Sequence, residues 1–111
     1  MAIVHSVFFN LKHPAGSEEE NQFFQKSVKI LTPIPGVHHF LVMKQTSPKC
    51  SYNYGFSMVF HSDKDYQSYN DHPDHGSYVQ DIWLNEVAEF QEIDYVAHSA
   101  YSPALPYGEA K

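Results

Sequence analysis

Residues 3–11, Ile-Val-His-Ser-Val-Phe-Phe-Asn-Leu, have the β-branched and aromatic content of a strand, yet neither of its two sides is polar enough to be left to water. The odd positions are Ile3, His5, Val7, Phe9 and Leu11, and the even ones are Val4, Ser6, Phe8 and Asn10. Successive side chains on a strand point to opposite faces. The more apolar odd set is therefore expected to lie under helices, and the even set needs a second cover.

The rest of the chain supplies the helices. Pro14 and Gly16 mark a loop. Ser17 followed by Glu18, Glu19 and Glu20 reads as an N-cap with a capping box from Ser17 to Glu20, and the acids suit the positive end of a helix dipole. Phe24, Val28 and Leu31 follow at helical spacing, with Phe23 and Ser27 flanking, until Pro33 and Pro35 end the helix. Residues 37–46 predict a second strand whose register the sequence leaves open. Residues 54–60 predict a third, with Tyr54, Phe56, Met58 and Phe60 on one side. Asp63 is the expected cap of a short helix carrying Tyr66 and Tyr69 on one face. Pro73 interrupts it, and a longer helix from about residue 74 carries a stripe of His75, Val79, Ile82 or Trp83, and Val87. Residues 91–97 predict a fourth strand. Residues 99–111 hold Pro103, Pro106 and Gly108 and no periodicity; they read as a tail or arm beyond a domain of residues 1–98, with Tyr101 and Tyr107 as expected anchors on the domain or a partner subunit.

The order β-α-β-β-α-β predicts an α+β fold of ferredoxin-like type, a four-stranded antiparallel sheet with both helices on one face. Val4, Phe8, Leu41, Met43, Val59, Ile93 and Tyr95 then share the open face, which is too apolar for solvent. Two such sheets packed face to face would make a homodimer, a dimeric α/β barrel.

Composition narrows the partners. One domain is expected from 111 residues. Seven basic against 13 acidic residues, a net charge of −6, argue against nucleic acid and against an anionic membrane surface. Cys50 is the single cysteine, so neither an internal disulfide nor a Cys-rich zinc site is expected. No apolar run approaches the ~20 residues of a membrane span, and Met1-Ala2-Ile3-Val4-His5 lacks the basic and apolar regions of a secretory signal. A cytoplasmic location is the expectation. Eight His, 8 Phe, 8 Tyr and 1 Trp suit a pocket as well as a core.

Three segments carry a family resemblance. Ile3-Val4-His5-Ser6-Val7 resembles the first strand of the stress-responsive A/B barrel (Dabb) domain family. Tyr69-Asn70-Asp71-His72-Pro73-Asp74-His75 resembles its Tyr-x-x-His-Pro-x-His segment, and Phe90-Gln91-Glu92-Ile93-Asp94-Tyr95 its closing strand. The resemblance runs over roughly residues 2–97 and implies a ferredoxin-like subunit in a dimeric barrel, in agreement with the argument from the two faces. Most members, in plants and bacteria, have no assigned reaction. Plant olivetolic acid cyclase, to which the chain bears a distant resemblance, performs a cofactor-free aldol cyclisation of a polyketide.

The resemblance implies His75, Tyr69 and His5 as candidate catalytic residues. A neutral imidazole can take a proton near ambient pH, and a phenol can donate to a developing oxyanion. The structural alternative is that His72-Pro73-Asp74-His75 is a helix-breaking turn in which a His caps the break. Tyr54 stands where the cyclase has a strand-3 His, and a phenol is no base at neutral pH. Tyr54, Phe9, Phe24, Phe40, Phe56 and Asp94 are the candidate ligand-binding residues, with Met58 beside the rings. Their bulk argues for a ligand smaller or flatter than a long polyketide. Asp94 is expected on the helix-facing side of the fourth strand, where a carboxylate could orient His5 or serve a structural ion pair, with Glu92 near a rim. His75, Tyr69 and His5 are predicted to face one cavity, with Tyr54 at its wall.

No metal and no cofactor are expected. His38 and His39 point to opposite sides of a strand, and His72 and His75 lack a converging set of further ligands. Plant members of the family can hold a cation on backbone carbonyls; the matching positions are Leu31, Ile34 and Val37, where an ordinary helix end is the preferred reading. Cys50 has no evident base, and Trp83 is assigned to the core.

Three functions stand after this reading. One is a homodimer with a small apolar or aromatic ligand pocket between sheet and helices and no assigned activity. The second is a cofactor-free enzyme, polyketide-cyclase-like or oxygenase-like, using a Tyr/His acid–base pair. The third is a non-catalytic, stress-associated structural dimer. An open cavity on which His5, Tyr54, Tyr69 and His75 converge weakens the third, and a filled one removes the first two.

Overall fold

Residues 3–11 form the strand that ties the sheet together. In the computed structural model, which describes residues 1–103, β1 (Ile3–Leu11) lies between β3 (Tyr54–Phe60) and β4 (Val87–Tyr95), and β2 (His38–Lys44) flanks β3. The order is β2-β3-β1-β4 with every pairing antiparallel. The register sets His5 opposite Met58 on one side and Asp94 on the other, and Phe9 opposite Tyr54 and Phe90. Ile3, His5, Val7 and Phe9 are buried under the helices. The even positions share the other face with Val59, Leu41, Met43, Ile93 and Tyr95. Gly55 sits opposite Phe8, and a Cβ there would come within 3.2 Å of the Phe8 ring, so the absence of a side chain leaves that ring its room.

The helical layer is α1 (Glu18–Leu31), α2 (Asp63–Asp71) and α3 (Pro73–Tyr78). The last continues through a π-helical turn, Val79–Trp83, and one α turn, Leu84–Glu86, into β4. Ser17 caps α1 by accepting from the Glu20 amide, and the Glu20 carboxylate reaches back to the Gly16 amide.

The structure corrects five details. The buried face of α1 is Phe23, Ser27 and Leu31 rather than Phe24, Val28 and Leu31. A serine can face the core because its hydroxyl bonds the Phe23 carbonyl and meets the Tyr78 hydroxyl. Ser62, not Asp63, caps α2, because its extended backbone lets Oγ accept from the Asp65 amide. The helix after Pro73 does not reach Val87, which opens β4 instead. That strand starts four residues before the expected 91 because β1 extends to Leu11 and pairs with Val87 across a bulge. β2 is shorter than 37–46, and a bulge between His38 and Leu41, with His39 at φ 53°, turns Leu41 to the open face. Tyr101 packs on His98 and is 82% exposed, so it does not anchor the tail on the domain; Tyr107 lies outside the described residues.

Candidate functional site

Between the sheet and the helices lies a cavity of about 250 Å³. Val7, Leu31, Phe56, Met58, Val79 and Trp83 make its apolar walls. His5, Tyr69, His75 and Tyr78 bring polar groups into it, while the exposed Leu84, Phe90 and Glu92 stand at its edge. An apolar space with a few converging polar groups is the usual form of a small-molecule site. A dry cavity of about 150 Å³ already holds benzene, so this one has room for a substituted ring. A wider groove of about 410 Å³ runs outside, along Lys29, Pro33, Asp74 and Asp81, and neither His5, Tyr69 nor His75 reaches it.

The break in the helices positions two of the polar side chains. His72 is extended, ends α2, and caps α3 through Nδ1, which accepts from the Asp74 amide; Pro73 occupies the first position of α3, where no amide is needed. The change of direction brings the Tyr69 and His75 rings to 4.5 Å between centroids. Burial is the main cause that lowers the His75 pKa below 6.5, with the Asn70 carbonyl hydrogen bond opposing it in part. Burial, reinforced by Tyr78, Tyr66 and Glu92, raises that of Tyr69. Both are neutral at pH 7. Tyr69 is 3% exposed, and its hydroxyl has no hydrogen-bond partner among the described residues, yet it opens on the cavity rather than being sealed in the core.

β1 supplies the third group. His5 Nδ1 lies 2.6 Å from Asp94 Oδ1 and 2.9 Å from the Tyr66 hydroxyl, which donates to Asp94 Oδ2 at 2.9 Å. Asp94 is outside the cavity and touches it only through His5.

Tyr54, Phe9, Phe24 and Phe40 are placed elsewhere. The rung Phe9–Tyr54 is four residues along from His5–Met58, or about 13 Å at the rise of a strand. There the Tyr54 hydroxyl donates to Glu20 Oε2 at 2.7 Å, and burial with the Glu20 carboxylate pushes its pKa up to about 12. Its ring packs against Phe24 and Phe9, and Phe40 packs against Phe56, so these rings fill the core and only Phe56 reaches the cavity. Tyr66, Tyr78, Phe90 and Leu84 are site residues that the sequence reading did not single out. For Tyr66 a signal existed, since it sits three residues before Tyr69 on one helix face.

The backbone carbonyls of Leu31 and Ile34 accept from the amides of Ile34 and Val37 in a turn after α1. Among the described residues no three His, Cys, Asp or Glu side chains form a group that could hold a metal. His38 instead stacks flat on His61, with centroids 4.1 Å apart. No helix among them is long and apolar enough to cross a membrane.

The family model for the stress-responsive A/B barrel domain matches residues 3–97. The chain belongs to this family. A Dabb family protein with a ferredoxin-like fold from Mesorhizobium loti is 50% identical over 86% of this chain and 96% of its own, with a TM-score of 0.85. Two more distant structures share the fold. A dimeric ferredoxin-like protein of unknown function from Thermobifida fusca is 17% identical, over 87% of this chain and 92% of that one, with a TM-score of 0.72. The hydroxynitrile lyase of Passiflora edulis is 12% identical, over 91% and 97%, with a TM-score of 0.77. No curated protein sequence matches the chain.

Proposed function

We propose that this stress-responsive A/B barrel protein is a cytoplasmic homodimer that binds a small, uncharged, apolar or aromatic molecule, carrying a hydroxyl or carbonyl group, in the cavity of His5, Tyr69 and His75. The observation that carries the reading is the Tyr69 hydroxyl, which has no hydrogen-bond partner among the described residues and adjoins a largely apolar space beside the His75 imidazole. A hydroxyl that opens on the cavity keeps its hydrogen-bonding capacity for a ligand oxygen. No Lys or Arg lines the cavity and Glu92 stands at its edge, which disfavours an anionic ligand. The dimer is supported by the open sheet face, where Leu41 is 49% and Tyr95 52% exposed, and by dimeric fold relatives.

A second reading follows from the same pair of side chains. A neutral His75 can accept a proton from carbon or oxygen while Tyr69 donates to the oxygen of the same ligand, which is cofactor-free acid–base catalysis. The ferredoxin-like framework hosts an enzyme in the Passiflora edulis protein. A purely structural dimer leaves the cavity and its hydroxyl without a use.

The test is a thermal-shift and calorimetric titration with phenol, 4-methylphenol and benzoate. The phenols should raise the melting temperature with the logarithm of one plus the ratio of free phenol concentration to Kd, and benzoate should not. Tyr69→Phe and His75→Ala should each weaken the phenol effect, by about tenfold in affinity for Tyr69→Phe. No shift with any neutral aromatic probe at millimolar concentration would sink the ligand reading.

A further inference from the structure

The hydrogen bonds around His5 define which of its nitrogens carries the proton. A carboxylate only accepts, so Asp94 Oδ1 at 2.6 Å requires a proton on His5 Nδ1. The Tyr66 hydroxyl has one proton, and it goes to Asp94 Oδ2. Towards Nδ1, 2.9 Å away, the same oxygen is therefore an acceptor. Nδ1–H is shared between a carboxylate and a phenol oxygen that are themselves bonded to each other. The neutral ring is left with its lone pair on Nε2, and His5 is a wall of the cavity.

Asp94 cannot hold this arrangement alone. Its side chain is 41% exposed on β4, an edge strand, where water competes for both oxygens. Tyr66 comes from a different element, α2, and its ring is fixed by stacking on Phe60 at 4.9 Å and 18°. It lies 5.2 Å from the His5 ring, centroid to centroid. The hydroxyl thus reaches the carboxylate from a rigid base, and Tyr66 closes the ring of three groups.

We propose that Tyr66 is a positioning residue of the cavity, which anchors Asp94 and so holds His5 in the Nδ1–H tautomer that presents Nε2 as the hydrogen-bond acceptor for a ligand. This rests on the reading of the cavity as a ligand site for its use, though not for its geometry. Burial and the Asp94 carboxylate both raise the Tyr66 pKa, so the hydroxyl stays protonated and available as the anchor. Tautomer control by a second hydrogen bond is a general device for directing an imidazole.

The experiment is ¹⁵N–¹H correlation spectroscopy of the histidine side chains in the full-length protein at pH 8, without any ligand. Wild type should show His5 as a single tautomer, protonated at Nδ1 and bare at Nε2. Tyr66→Phe keeps the ring and its stack on Phe60 and removes only the hydroxyl; His5 should then show a second, Nε2–H population. Asp94→Ala, which leaves Tyr66 in place, should do the same and serves as the second variant if Tyr66→Phe fails to fold. An Nε2–H tautomer in wild type, or an unchanged single Nδ1–H tautomer in whichever variants fold, overturns the proposal. The readout needs no ligand, so a failed phenol titration and a failed tautomer experiment remain distinguishable.

Discussion

The Ser27 and Tyr78 hydroxyls meet at 2.7 Å with both residues buried, and this bond joins the middle of α1 to the end of α3 behind the cavity. Ser27 already donates to the Phe23 carbonyl, so Tyr78 is the donor of the pair.

The donor order makes the two deletions unequal. Tyr78→Phe removes a donor and leaves Ser27 with its bond to Phe23, and should cost about 1 kcal/mol. Ser27→Ala strands the Tyr78 hydroxyl in the core and adds a small void, and should cost about 2–3 kcal/mol. Urea denaturation of the two variants checks this. Equal losses, or the reverse order, would show that the pair is not a directed bond.

Leu41 tests the open face of the sheet. It is half exposed on β2, so in a free subunit Leu41→Asp should change stability by no more than about 0.5 kcal/mol. If the face is covered by a second copy, burying on the order of 800 Å² per subunit, the same substitution places a charge in an apolar interface. Light scattering should then show a dimer for the unmodified protein at micromolar concentration and a folded monomer for Leu41→Asp. A monomeric wild type ends the argument for a homodimer.

Much of this architecture was legible because it obeys short periods. The two-residue alternation of Ile3 to Leu11 assigns each side chain to a face, and the pairs Val4–Val59 and Phe8–Gly55 lie on the open side together. Ser17 and Glu20 announce the start of α1. What was illegible depends on partners distant in the chain. Ser27 reads as a poor core residue until Tyr78 is placed against it. Val87 reads as the end of a helix until Leu11 pairs with it. Tyr54 shares a strand face with Met58, but the face is long enough to serve two ends. Tyr54 binds Glu20 at one end while His5 meets Tyr66 and Asp94 at the other. Tyr66 needed both the helix phase and the β1–β4 register before its role could be seen.

His75 gives stability a pH dependence of definite sign. Its folded pKa lies below the unfolded value of 6.5, because burial disfavours the charged ring. Between the two values the unfolded chain binds more protons, so stability rises with pH there. The contribution is whole above about pH 6.5 and is lost as pH falls through the folded value. His5, which lowers the pKa, and Glu92, which raises it, are the charged or titratable neighbours involved. His75→Gln keeps a donor for the Asn70 carbonyl and does not titrate. From pH 7.5 to 5.5 the urea midpoint of wild type should therefore fall more than that of His75→Gln. Parallel pH profiles would show that His75 is not held neutral by its surroundings.

Tyr69 separates ligand binding from folding. Its ring is buried against Phe60 at 4.9 Å and His75 at 4.5 Å, and these contacts survive in Tyr69→Phe. The hydroxyl has no hydrogen-bond partner among the described residues, so its removal should leave stability unchanged to within about 1 kcal/mol. A residue retained for the fold alone would show the opposite balance. Affinity for phenol should meanwhile fall about tenfold, the equivalent of one hydrogen bond of roughly 1.4 kcal/mol. The two measurements are independent, thermal or urea unfolding without ligand and calorimetric titration with phenol. If Tyr69→Phe lowers stability by more than about 1 kcal/mol, the hydroxyl has a structural partner. If phenol affinity is unchanged while the protein stays folded, the hydroxyl does not face the ligand.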